Sequence, residues 1–157
     1  MSERAQALAE RFERANEEVI AAVERWPEEA WRATPPGEEW SVGLIAHHIG
    51  NGYAVVQRTL QPAAAGQPLP PSLGPGHNER YARDHADCTK EEVLDLLRRN
   101  GASAAGFIRG LRDEELDRPV PSRDGSRTWR LDEMIERLFI GHVEEHLASI
   151  RKAEGRG

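Results

Sequence analysis

L-D-E-M-I-E-R-L-F-I-G-H-V-E-E-H-L-A-S-I-R-K-A, residues 131–153, is the stretch from which the fold is read. Leu131, Ile135, Leu138, Phe139, His142, His146 and Ile150 recur at mostly three- and four-residue steps, which predicts one inward face of a long helix. His142 and His146 stand four apart on that face, about one turn from each other. Two imidazoles so placed can hold one metal ion. Two ligands do not make a site, so the chain must supply a third.

Upstream, three more long segments carry the same periodicity, and none shows the sustained alternation of a strand. The first runs from Ser2, a plausible N-cap, to Trp26, with Leu8, Phe12, Ala15, Val19, Ile20 and Val23 on one side. Pro27 opens a short turn through Trp31, which Pro35-Pro36-Gly37 stops. The second helix is predicted from Ser41, its cap, to about Leu60. A linker from Gln61 to Gly76 is dense in proline and glycine and reads as irregular. His77 to His85 reads as a short helical piece. Thr89-Lys90-Glu91-Glu92 fits a capping box and starts the third long helix, in which Gly101 and Gly106 are weak points. From Asp117 to Arg130 the chain reads as irregular, with Asp124-Gly125 able to close a hairpin-like turn. The expectation is an all-α four-helix bundle, a single domain over residues 1–157, with a long proline-rich crossover between its second and third long helices.

Bulk properties narrow the partners. The chain has 157 residues, 38% hydrophobic and 31% charged, with a formal net charge of −6. That balance argues against nucleic acid or an anionic membrane as the main partner, and the arginines are scattered among acids rather than gathered in a stripe. No apolar run approaches the roughly 20 residues needed to span a bilayer. The N-terminus lacks a signal-peptide core, and the single cysteine excludes an internal disulfide, so a cytoplasmic location is expected.

The third ligand comes from Ala46-His47-His48-Ile49. Val42, Ile45, Ile49, Gly52, Val56 and Leu60 define the stripe expected to be buried on the second helix. At about 100° per residue, His48 lies roughly 60–90° from the stripe's centre and reaches the interior, whereas His47 is expected to face solvent. Core-facing histidines in bundles are often simply hydrogen-bonded. Three of them converging would nevertheless leave several polar nitrogens to satisfy without a metal.

Trp40-Ser41-Val42 with His48-Ile49 following, then the closing His142 and His146, resembles the DinB/YfiT-like superfamily. His77-Asn78-Glu79-Arg80-Tyr81 and Asp113-Glu114-Glu115-Leu116 resemble its DinB-like domain 2 subgroup. The resemblance spans nearly the whole chain. It implies a four-helix bundle in which His48, His142 and His146 bind one divalent metal, commonly zinc or nickel, and it implies a homodimer. Three neutral imidazoles leave an open position, the pattern of a catalytic site. Relatives include thiol-dependent transferases and isomerases, so the leading expectation is a metal-dependent transferase in which a low-molecular-weight thiol attacks an electrophilic substrate.

A metal-dependent hydrolase is the alternative, with Glu145 as general base for a bound water; a non-catalytic metal-binding or ligand-binding module is another. His142-Val143-Glu144-Glu145-His146 formally matches H-x-x-E-H, but only Glu154 follows as a downstream acid, and a peptidase needs a more distant one. Cys88, beside the Thr89 cap, is a weaker candidate for a thiol of lowered pKa. Asn100 reads as a partner of the metal ligands or as a polar residue specifying the bundle. Tyr81 and Asn78 read as candidates for a pocket mouth. Trp129 and Arg130 read as contacts for an acidic thiol or as end-caps.

Overall fold

The computed structural model describes residues 2–154. Helix α1, Glu3–Arg25, opens on Ser2, whose hydroxyl accepts from the Ala5 amide. A 3-10 turn, Glu28–Ala30, leads to α2, Val42–Ala64, capped by Ser41 through the Leu44 amide. Helix α3, His77–His85, follows the crossover. Helix α4, Lys90–Arg109, begins with the reciprocal Thr89/Glu92 capping box. The short α5, Asp113–Leu116, precedes a two-stranded antiparallel ribbon, β1 Pro119–Pro121 and β2 Thr128–Arg130, in which Val120 faces Trp129. The closing helix then runs in three parts: α6, Leu131–Ile135; a π segment, Glu136–Gly141; and α7, His142–Glu154.

The expected all-α four-helix bundle is the architecture found, with the crossover between its second and third long helices. Helix α4 packs on both α1 and α2, and the closing helix also packs on both. Consecutive helices α1 and α2 therefore lie on a diagonal of the bundle, and α2 and the closing helix share a seam.

At the centre, the Phe12 ring meets Tyr53 at 4.8 Å and Phe139 at 5.4 Å, both edge-on. Each fully buried large side chain there contributes roughly 1.5–3 kcal/mol. One polar residue joins them. Asn16 donates to the Leu97 carbonyl at 3.1 Å and accepts from the Tyr53 hydroxyl at 2.8 Å. A Cβ on Gly101 would stand 2.2 Å from the Asn16 amide nitrogen. Gly101, read from sequence as a weak point, is thus where α4 makes room for α1.

Three expectations need correction. The segment from Asp117 to Arg130 is not wholly irregular, because the turn at Asp124-Gly125 closes the β1–β2 ribbon. Asp124 accepts from the Ser122 hydroxyl and from the Ser126 amide and hydroxyl, which lowers its carboxyl pKa to about 2, and Gly125 takes φ 74°. Helix α2 runs on through Pro62 to Ala64, where Ala63 and Ala64 are buried. Leu138 is not on the inner face of the closing helix; it is 37% exposed. The π segment spends an extra residue per turn, so the core stripe passes from Ile135 to Phe139 and Ile140 and on to Val143, Leu147 and Ile150.

Candidate metal centre

Where α2 and α7 share their seam, His48, His142 and His146 each offer one ring nitrogen, and these three atoms lie within 4.8 Å of one another. His142 and His146 face each other through their Nε2 atoms at 2.8 Å, as one-turn spacing on α7 dictates. The His48 ring meets both edge-on, at centroid distances of 5.5 and 5.2 Å. All three side chains are half-buried. The π segment ends at Gly141, directly before His142, and sets the rotation of α7 that carries both histidines to the seam.

The electrostatics favour the neutral ligand form. Burial, with His146 and His142 nearby, lowers the His48 pKa to about 4. Burial lowers both His142 and His146, against a smaller opposing pull from Glu145 on each. Ligands about 2.0–2.1 Å from one tetrahedral ion stand roughly 3.3 Å apart, so small ring adjustments make this donor set fit a divalent cation. Neutral imidazoles are what such a cation needs, and the two Nε2 atoms, 2.8 Å apart, have only to separate slightly.

The surroundings add walls that the sequence pattern did not reveal. Trp40 meets the His48 ring edge-on at 5.4 Å and stacks on Tyr81 at 5.9 Å. Beside His146 lies a recess lined also by Glu38, Glu39, Trp40 and Asn78, and Glu38 opposes the lowering of the His146 pKa. The signal for Glu38 was available only as the turn after Pro35-Pro36-Gly37. Asn78 does line this mouth, as expected, whereas Tyr81 is buried.

His47 departs from expectation. It is half-buried rather than solvent-facing, because the buried face of α2 is centred on Ala46, Gly50 and Tyr53 and leaves Gly52 and Val56 only partly covered. Its ring stacks on His85 at 4.2 Å, and its Nδ1 hydrogen-bonds the Tyr81 hydroxyl.

The other candidates are not among the converging donors. Glu145 is exposed and makes no side-chain hydrogen bond among the described residues. Cys88 is buried, its Sγ points at the Gly43 carbonyl at 3.4 Å, and burial raises its pKa where a helix N-terminus alone would lower it. Asn100 donates to the Gly50 carbonyl at 3.0 Å, tying α4 to α2. Arg130 is engaged by Asp117 and Asp132 at 2.8 and 2.9 Å.

A half-buried three-histidine cluster that could hold a metal ion thus sits on the seam of a four-helix bundle. The chain belongs to the DinB superfamily, whose family profile matches residues 11–150. Its fold is that of YfiT from Bacillus subtilis, described as a probable metal-dependent hydrolase with an unusual four-helix bundle topology. That similarity has a TM-score of 0.82 at 16% identity, covering 99% of this chain and 89% of YfiT. A protein from Streptococcus pneumoniae matches with a TM-score of 0.78 at 17% identity, over 99% of this chain and 92% of that one. The mycothiol-dependent maleylpyruvate isomerase matches with a TM-score of 0.76 at 12% identity, over 96% of this chain and 63% of the isomerase. No curated protein sequence matches the chain significantly. Among the described residues, no helix is long and apolar enough to cross a membrane.

Proposed function

We propose that the protein holds one divalent metal, zinc or nickel, on His48, His142 and His146 and uses it to activate a low-molecular-weight thiol for transfer to an electrophile. The observation that carries the proposal is the convergence of three ring nitrogens from two helices within 4.8 Å. A bound divalent cation supplies a positive charge that keeps a thiol in its thiolate form. The chain's own residues hold the rest. Three neutral imidazoles add no negative charge to the centre, and Trp40 shields His48 from solvent on one side. The recess beside His146 admits a small molecule, while Asn78 and the acids Glu38 and Glu39 line it. The mycothiol-dependent isomerase among the structural relatives supports the choice of a thiol.

Metal-dependent hydrolysis is the second reading, supported by the description of YfiT. It would use Glu145 as general base. The exposure of Glu145, without a hydrogen bond to orient it among the described residues, makes this the weaker of the two.

One panel separates them. Metal-loaded protein is assayed with activated electrophiles, with and without cysteine, glutathione, mycothiol or bacillithiol. Thiol transfer requires turnover only when thiol is present and no loss in Glu145→Gln. Thiol-independent turnover that Glu145→Gln removes would establish hydrolysis instead.

A further inference from the structure

The seam between α2 and the closing helix does not end at the histidines. Val55 is seven residues beyond His48, on the same face of α2 and roughly 10 Å along its axis. There the seam opens into a groove of about 650 Å³, within the range of small-molecule sites, roughly 300–1,000 Å³. Val55 and Val56 form one wall, Met134 and Leu138 the other, and Trp129 of β2 lies at the ribbon end. The exposure of Leu138, produced by the π segment, is what gives the groove its apolar lip.

Arginines outnumber carboxylates around it. Arg123 and Arg137 line the groove, and the guanidinium carbons of Arg127 and Arg137 sit 4.8 and 4.7 Å from the Trp129 ring centroid. Among the described residues, none of these three arginines has a carboxylate within ion-pair distance, whereas Arg130 beside them has two. Arg123 is held in place by the Pro70 carbonyl at 2.7 Å. The lining carboxylate, Asp124, has its Oδ1 committed to Ser122 and Ser126 in the ribbon turn.

Shared walls link the groove to the metal end. The groove shares Val55, Thr59 and Arg123 with a middle trough, and that trough shares Asn78 and Glu79 with the recess at His146. Acids Glu38, Glu39 and Glu79 line the histidine end, and arginines line the ribbon end. An elongated molecule with one anionic end is therefore drawn in with that end at the arginines.

We propose that this groove is a binding site for an organic anion with a flat apolar body, a carboxylate or sulfonate carried on an aryl group. The apolar body lies on Trp129 and against Val55, Val56 and Leu138, and the anionic group meets Arg123 and Arg137. The placement of the molecule's other end toward the histidines rests on the metal reading; the groove itself does not.

The test uses 2-naphthoate and its uncharged counterpart 2-naphthylmethanol, titrated into the full chain by calorimetry and by NMR of the Trp129 indole N–H, assigned with Trp129→Phe. The expected result is saturable naphthoate binding that shifts the Trp129 signal, at least tenfold tighter than the alcohol. Arg123→Gln with Arg137→Gln weakens naphthoate at least tenfold, while Arg14→Gln, an exposed arginine on α1, changes nothing. These arginines are exposed, so an unchanged melting profile confirms that the variants are folded. Equal binding of acid and alcohol, an unmoved Trp129 signal, or full affinity in the double arginine variant would overturn the proposal. The titration is repeated on metal-free His48→Ala. Binding retained there supports the groove whatever the fate of the metal centre, and binding lost there overturns the groove as a site of its own. Failure of the metal reading shows separately, as no metal in wild type.

Discussion

Two histidine clusters start from adjacent residues of α2, His48 facing α7 and His47 facing α3. His48 brings its nitrogen to those of His142 and His146, with ring planes crossing theirs at 87° and 83°. His47, the adjacent residue, lies nearly parallel to His85 at 24°, and its Nδ1 is already occupied by the Tyr81 hydroxyl. Crossed rings can aim lone pairs at one point; stacked rings aim theirs past each other. Both clusters bring together imidazoles from two helices. Ring orientation and the prior commitment of nitrogens distinguish them.

The largest effect expected from that contrast is on metal content. Protein purified without an affinity tag should carry about one divalent ion per chain, from the one donor set among the described residues. His48→Ala or His142→Ala should lower affinity by more than the roughly 10–100-fold that loss of an outer partner costs. Elemental analysis after dialysis reads this directly, and unchanged metal in either variant removes the site.

Acid should reveal the cluster next, in the metal-free protein. His47 and His48 titrate at about 4 in the folded chain against about 6.5 in the unfolded one, mainly through burial. The unfolded chain therefore binds more protons between those values, and stability falls as pH drops through that window. Above pH 6.5 this contribution is complete and flat. Thermal midpoints of metal-free wild type should decline from pH 6.5 toward 4, less steeply in His48→Ala. Equal slopes for the two proteins would show that His48 is not held neutral by burial.

His47→Ala sharpens the contrast from the other side. It should leave metal stoichiometry at wild-type level while lowering stability by about 1 kcal/mol, the usual scale for losing one packed, hydrogen-bonded side chain. Metal loss in this variant, with the fold intact, would mean that the two clusters act as one.

Much of this could be read before the fold was known, for reasons that differ by region. The helices of the bundle follow from periodicity and from caps such as Ser2, Ser41 and Thr89, because those signals are local. The trio His48, His142 and His146 was selected by helical wheels and by resemblance. The wheel failed for His47 because it was centred on Gly52 and Val56, whereas the core contact is made through Ala46, Gly50 and Tyr53, small or aromatic residues that a hydropathy stripe undercounts. It failed for Leu138 because a π segment changes the angle per residue, and no residue type announces one. The groove was invisible for a further reason. Its walls come from α2, the closing helix and the ribbon, and only tertiary packing brings Val55, Leu138 and Trp129 together.

The smallest and most discriminating change is Tyr81→Phe. It keeps the buried ring that stacks on Trp40 and removes only the hydroxyl that meets His47 Nδ1. A single hydrogen bond of this kind contributes roughly 0.5–1.5 kcal/mol, so the thermal midpoint should fall only slightly. The freed His47 nitrogen is the point of the substitution. If ring orientation fixes the difference between the clusters, His47 stays stacked on His85, and the variant still binds one metal with wild-type affinity. If the hydroxyl alone keeps His47 from acting as a ligand, the variant should take up a second ion. Elemental analysis that finds one metal favours orientation. Two metals would assign the distinction between these adjacent histidines to one phenolic oxygen.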